Sequence, residues 1–181
     1  WMIKKISTVI LAAGNSTRFK SDKSKIFHEV AGRPIIDYVI SAARKISGND
    51  IVIVCNKKNI NYFKNFYGQY CIALQKHQKG TADAILYAKK YITKKNDVLI
   101  LFGDVPFIQS SSLKRLVKKY RLSKKAPGSM LAFNALNPKG YGRVKTEANN
   151  VIRVTEELFA KKNVKKISLC NSGIMLCNYN F

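Results

Sequence analysis

The sequence lacks any long apolar run, and this argues against a membrane-spanning helix. Such a helix needs roughly 20 consecutive apolar residues, and the apolar stretches here are interrupted well before that length. Residues 1–5 lead into an apolar stretch that soon ends in glycine, which is too short and wrongly flanked for a secretory signal. We therefore expect a cytoplasmic protein with no membrane partner.

Cysteine is also scarce, with four residues and neither a C-x-x-C pair nor a histidine cluster close to them. A structural zinc site needs clustered thiolate and imidazole ligands, so this spacing argues against one. Cys55 and Cys71 stand in apolar, strand-like runs, where a thiol packs as a small hydrophobic group. We expect both to be buried.

Acidic residues number only 10 against 33 lysines and arginines, which gives a formal charge of +23. Such an excess is typical of proteins that bind nucleic acid. The lysines are nevertheless scattered in pairs such as Lys57-Lys58 and Lys118-Lys119, which favours a solvated surface and no nucleic-acid partner. A positive field would still raise the local concentration of an anionic substrate such as a triphosphate.

Apolar runs and segments of helical spacing alternate along the first 120 residues. Strands are predicted at residues 6–11, 51–55, 70–74 and 98–102, and helices at 35–46, 60–67, 81–92 and 113–120. This alternation predicts an α/β, doubly wound, Rossmann-like fold with a mostly parallel sheet. Serines 110–112 are predicted to cap the last of these helices.

After Gly128 the pattern changes to short strands separated by turns. The segments concerned are residues 129–136, 143–146, 151–155 and 171–177. They predict a small mixed or antiparallel extension of the sheet.

Polar segments follow three of the predicted parallel strands, at residues 12–25, 75–81 and 103–106. In an open α/β sheet, ligands bind at the carboxyl ends of the strands. We therefore expect these three segments to form the functional site.

Residues 11–14 are small enough for the backbone to approach a phosphate, and Arg18 and Lys25 add positive charge. The spacing is neither that of a Walker loop nor that of the dinucleotide-binding glycine motif. Asp104 at a strand tip suits a Mg²⁺ ion that bridges phosphates, although a turn aspartate is an equal alternative. Gln75 offers a donor and an acceptor to a base, and an ordinary loop also explains it.

Together these segments resemble the uridylyltransferase domain of bacterial N-acetylglucosamine-1-phosphate uridylyltransferases. The opening motif L-A-A-G-x-x-T-R, from Leu11 to Arg18 with Thr17 before the arginine, is shared by many sugar and alcohol nucleotidyltransferases. The later G-D-V-P, G-Y-G-R and N-[ST]-G-I elements are typical of the N-acetylglucosamine group. In this chain they are Gly103-Asp104-Val105-Pro106, Gly140-Tyr141-Gly142-Arg143 and Asn171-Ser172-Gly173-Ile174.

The resemblance implies a role for each matching residue, with UTP and N-acetylglucosamine 1-phosphate as substrates and Mg²⁺ as cofactor. The nucleotide-binding residues would be Leu11, Ala12, Ala13, Gly14, Arg18, Lys25, Gln75, Gly80 and Thr81. Arg18, Lys25 and Asp104 would be catalytic, with Asp104 also holding the metal. Gly142, Glu156 and Asn171 would contact the sugar through a backbone N–H, a carboxylate and an amide respectively.

The chain also departs from the family pattern. Ser24 stands where proline usually precedes Lys25, which would make that loop less rigid. The family's second metal-holding asparagine and its β-helical acetyltransferase domain have no counterpart here. We therefore expect residues 1–181 to be one nucleotidyltransferase domain, truncated at its C-terminus, from an enzyme that forms homo-oligomers.

Two alternative functions remain open from the sequence. The first is nucleotidyl transfer with a different sugar phosphate or a different nucleotide. The second is a basic nucleic-acid-binding module that has the fold and no turnover.

Overall fold

The structure is a computed structural model that describes residues 5–14, 23–77, 79–123, 126–148 and 150–180. The chain divides into two compact units, residues 1–129 with 176–181 and residues 130–175. Arg18 and Thr17 lie outside the described residues.

The described residues contain the predicted strands and helices in the predicted order, together with two short strands and one short helix that were not predicted. The strands are β1 (Ile6–Ala12), β2 (Glu29–Val30), β3 (Arg33–Pro34), β4 (Ile51–Cys55), β5 (Cys71–Leu74), β6 (Asp97–Phe102), β7 (Gly128–Asn134), β8 (Arg143–Glu147), β9 (Asn150–Thr155) and β10 (Leu169–Asn178). The α-helices are α1 (Ile35–Ser47), α2 (Ile60–Tyr67), α3 (Thr81–Ala88), α4 (Ser110–Leu122) and α5 (Lys162–Lys165). Short 3₁₀ helices lie at Lys25–Phe27, Lys89–Tyr91 and Glu157–Phe159.

The first unit is built on a parallel sheet in which the strands follow the order β5-β4-β1-β6. All five residues of β4 are buried, and β1 is almost as fully covered. Parallel strands with helices on both faces need such continuous apolar runs, which is why the sequence predicted each of these strands to within one residue at either end. The mostly parallel α/β fold is therefore confirmed.

Helix α1 shows how the helices cover this sheet. Ile36, Val39 and Ala43 recur at helical spacing and are fully buried. The helix ends at Gly48, whose positive φ of 60° lets its N–H bond to the carbonyl of Arg44.

Two local predictions were wrong. The N-cap of α4 is Gln109, and serines 110–112 form its first turn, so none of the three serines is the cap residue. Cys71 is exposed because it begins β5, the outermost strand of the parallel set, whereas Cys55 in the adjacent β4 is buried as predicted.

The second unit is antiparallel, as the short strands predicted. Strands β8 and β9 form a hairpin with an irregular register between Lys145 and Thr146. Strand β8 also pairs with β10, where Arg143 faces Cys170. The Ser172 hydroxyl donates to the carbonyl of Leu131 at 2.7 Å and so ties β7 to β10.

Within the described ranges, none of the helices combines the length and the apolar character that a bilayer crossing requires.

Candidate active site

The tips of β1 and β6 lie unusually close together in the first unit. The Gly103 N–H donates to the Leu11 carbonyl at 2.9 Å and continues the strand pairing beyond Phe102. A Cβ atom on residue 103 would lie 3.1 Å from Ile36 Cδ1 and 3.2 Å from the Leu11 oxygen. Glycine therefore fits this close approach without displacing a neighbour. The next residue, Asp104, follows directly beside the end of β1.

Lys25 and Asp104 meet at this point, although 79 positions separate them in the sequence. The Lys25 ammonium lies 3.2 Å from the Oδ2 atom of Asp104, and the two side chains are 40% and 44% exposed. An ion pair this exposed contributes little to folding, at most about 1 kcal/mol. Both charges thus remain accessible to a ligand.

Aromatic packing fixes the segment that carries Lys25. The 3₁₀ turn Lys25–Phe27 buries Ile26 and Phe27. The Phe27 ring lies 4.0 Å from the Tyr62 ring and 5.3 Å from the Phe63 ring, between centroids. Lys25 consequently projects from an anchored turn.

The start of the loop after β1 is held by Asn56, which the sequence did not predict as part of the site. Ala12 and Ala13 are buried, whereas Gly14 is exposed with open space where a side chain would stand. The Asn56 amide donates to the Ala13 carbonyl at 3.2 Å. Asn56 directly follows β4, so its position at a strand tip was the available signal.

Gln75 occupies the tip of β5 and is only 5% exposed. Its N–H donates to the Cys55 carbonyl at 2.9 Å, which continues the β4–β5 pairing. Its side-chain amide donates to Asp83 Oδ2 at 2.7 Å and to the Gly80 carbonyl at 3.4 Å. Gly80 has a φ of 106°, which favours glycine, and Thr81 begins α3. Asp83 was likewise not among the predicted site residues.

The three predicted sugar-binding residues come together inside the second unit. A Cβ atom on Gly142 would lie 3.0 and 3.1 Å from the Glu156 carboxylate oxygens, so glycine leaves room for this side chain. The Asn171 N–H donates to the Gly142 carbonyl at 2.8 Å. The Asn171 side-chain oxygen accepts from the Gly173 N–H at 2.8 Å, which directs the Asn171 NH₂ group away as a donor.

A buried ion pair supports this cluster. Arg143 is 2% exposed, and its Nη1 atom lies 2.8 Å from Glu157 Oε2 and also donates to the Tyr141 carbonyl. The Gly140 N–H donates to the same Glu157 oxygen at 3.3 Å. The hydrogen bond from Arg143 is the main cause that lowers the pKa of Glu157 below its ordinary value. The pair ties the turn before β8 to the segment that carries Glu156.

Across the described ranges, no three histidine, cysteine, aspartate or glutamate side chains gather as a ready-made metal site. Among the described residues, a divalent cation at Asp104 would therefore find at most two such side chains and would need further ligands. Mg²⁺ typically binds in this way, through one or two carboxylates and phosphate oxygens.

Residues 8–139 match the family model of the MobA-like NTP transferase domain. The chain is 38% identical over 177 residues to the bifunctional protein GlmU of Buchnera aphidicola subsp. Schizaphis graminum, and 37% identical over 177 residues to that of Syntrophomonas wolfei. These matches include 97% and 94% of this chain. The chain spans 38% of the length of each of these two relatives.

Solved structures share the fold at low sequence identity. A putative glucose-1-phosphate thymidylyltransferase from Bacillus anthracis superimposes with a TM-score of 0.81 at 19% identity, covering 97% of this chain and 72% of its own. A CMP:2-keto-3-deoxy-manno-octonic acid synthetase complexed with CTP gives a TM-score of 0.74 at 18% identity, covering 98% and 75%.

Proposed function

This chain belongs to the MobA-like NTP transferase domain family, and on that premise we propose that it transfers a uridylyl group from UTP to N-acetylglucosamine 1-phosphate. The products would be UDP-N-acetylglucosamine and pyrophosphate. The observation that carries this proposal is the 3.2 Å contact between Lys25 and Asp104 at the tips of parallel strands. The identity to GlmU proteins supports the choice of substrates.

In the proposed reaction an oxygen of the sugar phosphate attacks the α-phosphorus of UTP in line. The bond from that phosphorus to the bridging oxygen breaks, and its electrons leave with pyrophosphate. Positioning and charge neutralisation dominate such a transfer, and no side chain needs to act as a nucleophile. The Lys25 ammonium would neutralise the triphosphate from its anchored turn.

Asp104 is the described residue that would hold Mg²⁺. Its carboxylate is 44% exposed and stands at a strand tip, which suits a cation that shares its coordination with phosphate oxygens. When bound, the ion would supply positive charge against the phosphates. Arg18, which lies outside the described residues, remains a predicted partner of the triphosphate.

In the second unit, Gly142, Glu156 and Asn171 would bind the N-acetylglucosamine moiety. The carboxylate of Glu156 accepts hydrogen bonds from sugar hydroxyls, and the Asn171 NH₂ group donates one. The contacts among these three residues support the assignment. Homo-oligomer formation and a cytoplasmic location stay predictions from the sequence.

The test is a pyrophosphate-release assay on the full-length protein with four triphosphates and two acceptors. UTP, CTP, GTP and dTTP would each be offered with N-acetylglucosamine 1-phosphate and with glucose 1-phosphate. We expect the highest kcat/KM for UTP with N-acetylglucosamine 1-phosphate. A higher value for any other pair would replace the proposed substrates, and affinity for duplex DNA without turnover would favour the nucleic-acid-binding alternative.

A further inference from the structure

The amide group of Gln75 is held in one orientation by two acceptors. Its Nε2 atom lies 2.7 Å from Asp83 Oδ2 and 3.4 Å from the Gly80 oxygen. A carboxylate and a peptide carbonyl accept hydrogen bonds and cannot donate them, so both must face the NH₂ group. The amide oxygen of Gln75 consequently points away from Asp83.

The oxygen of the Gln75 side-chain amide is the atom of that amide that is available to accept a hydrogen bond from a ligand. In the described part of the chain, no residue donates a hydrogen bond to it. The residue is 5% exposed overall, and its oxygen is not among the described side-chain atoms that are fully buried without a partner, so the oxygen keeps the access that a ligand needs.

We propose that Asp83 is a specificity-determining positioning residue that makes Gln75 present only an acceptor to the base of the nucleotide. This inference rests on the proposed function insofar as the site binds a nucleoside triphosphate. Uracil and thymine carry an N3–H donor that pairs with an acceptor, whereas the N3 atom of cytosine is itself an acceptor. The site would therefore take a pyrimidine with an N3–H and reject cytosine.

The discrimination depends mainly on Asp83, because its carboxylate is much nearer to the amide than the Gly80 carbonyl is, and Gln75 alone is indifferent. A glutamine amide reverses its donor and acceptor ends by a half-turn about one bond and so serves either pyrimidine. With Asp83 in place, that half-turn would bring the amide oxygen against a carboxylate at 2.7 Å. Repulsion between these two acceptors prevents the reversal.

The direct test measures the dissociation constants of UTP and CTP for the full-length protein, without an acceptor sugar. The variants are Asp83→Asn, whose amide can donate or accept, and the swap Asp83→Asn with Gln75→Glu. In the swap, the carboxylate at position 75 presents only acceptors, and the amide at position 83 supplies the donor. The matched control is Asp37→Asn, which removes a carboxylate that accepts from the Tyr67 hydroxyl on another helix.

We expect Asp83→Asn to lower the preference for UTP over CTP by about tenfold, the scale of one hydrogen bond. The swap should restore most of that preference, and Asp37→Asn should keep it. A preference unchanged in Asp83→Asn would overturn the proposal, and so would a loss that the swap fails to restore. Because binding is measured without the sugar, wild-type turnover tests the proposed function separately: absent turnover with an intact UTP preference would refute only the reaction.

Discussion

The two units hold their candidate site residues by different means. In the first unit, Gln75 and Asp104 stand at the tips of parallel strands, and aromatic packing anchors the turn that carries Lys25. The residues of β4 in the same sheet are at most 2% exposed. In the second, β9 leaves Val151, Ile152 and Val154 between 37% and 53% exposed. The predicted sugar-binding cluster there is supported by one buried arginine and its carboxylate partner. Strand burial and aromatic packing position the first set, and a specific ion pair supports the second.

The comparison predicts that the largest effect on turnover comes from a residue that contributes little to the fold. Asp104→Ala should lower uridylyl transfer at least about a thousandfold because it removes the expected metal ligand. The melting temperature should shift by no more than a few degrees, since the Lys25 pair is half-exposed. Steady-state kinetics and thermal melting of the full-length protein measure both.

The control for that variant is Glu147→Ala, which also breaks a lysine pair, here at 3.8 Å with a 66% exposed carboxylate. It should retain wild-type turnover. Near-normal activity of Asp104→Ala would remove this residue from the mechanism.

In the second unit, stability and sugar binding should fail together. Arg143→Met should lower the free energy of unfolding because it removes the side chain that joins Glu157 to the Tyr141 carbonyl. The KM for the sugar phosphate should rise about tenfold, while that for UTP stays within about threefold. Arg153→Met, on the exposed strand β9, is the matched control and should change neither. Equal rises in the KM for the sugar phosphate and the KM for UTP would contradict the assignment of sugar binding to the second unit.

Acid should weaken the second unit through Glu157. Its pKa is lowered in the folded state, so its stabilisation is complete above the ordinary value of 4.5 and is lost as the pH falls through the lowered pKa. Glu157→Gln should therefore lose stability at neutral pH and show a shallower decline than the wild type in acid. Chemical unfolding between pH 6 and pH 3 gives the free energy of unfolding as a function of pH for the wild type and for Glu157→Gln. An equally steep decline in both proteins would exclude Glu157 as the cause.

The smallest expected effect is a gain in the first unit. Ser24 has a φ of −57° and a ψ of 139°, which proline adopts without strain, and its buried hydroxyl has no hydrogen-bond partner among the described residues. Ser24→Pro should raise the free energy of unfolding by about 0.4–1 kcal/mol through the unfolded state. Ser24→Ala removes the hydroxyl without fixing φ and separates the two contributions. A lower free energy of unfolding in Ser24→Pro would show that position 24 needs its backbone N–H or a different φ.

The sequence predicted the parallel strands because continuous apolar runs are a strong signal, and it placed Asp104 and Gln75 at strand tips for the same reason. It missed Asp83 and Arg143–Glu157 because their roles come from contacts between separate segments, and no local pattern encodes them. Cys71 was misassigned because an apolar run does not reveal which strand lies at the edge of the set. Positions along the sheet were thus predictable, and the partners of polar side chains were not.

The most direct test is a crystal structure of the full-length protein with UTP and Mg²⁺. We expect the triphosphate to contact the Lys25 ammonium. We also expect Asp104 and the phosphate oxygens to bind the same Mg²⁺ ion. A triphosphate bound elsewhere, or an Asp104 carboxylate more than about 6 Å from every phosphate oxygen and from the metal, would contradict it.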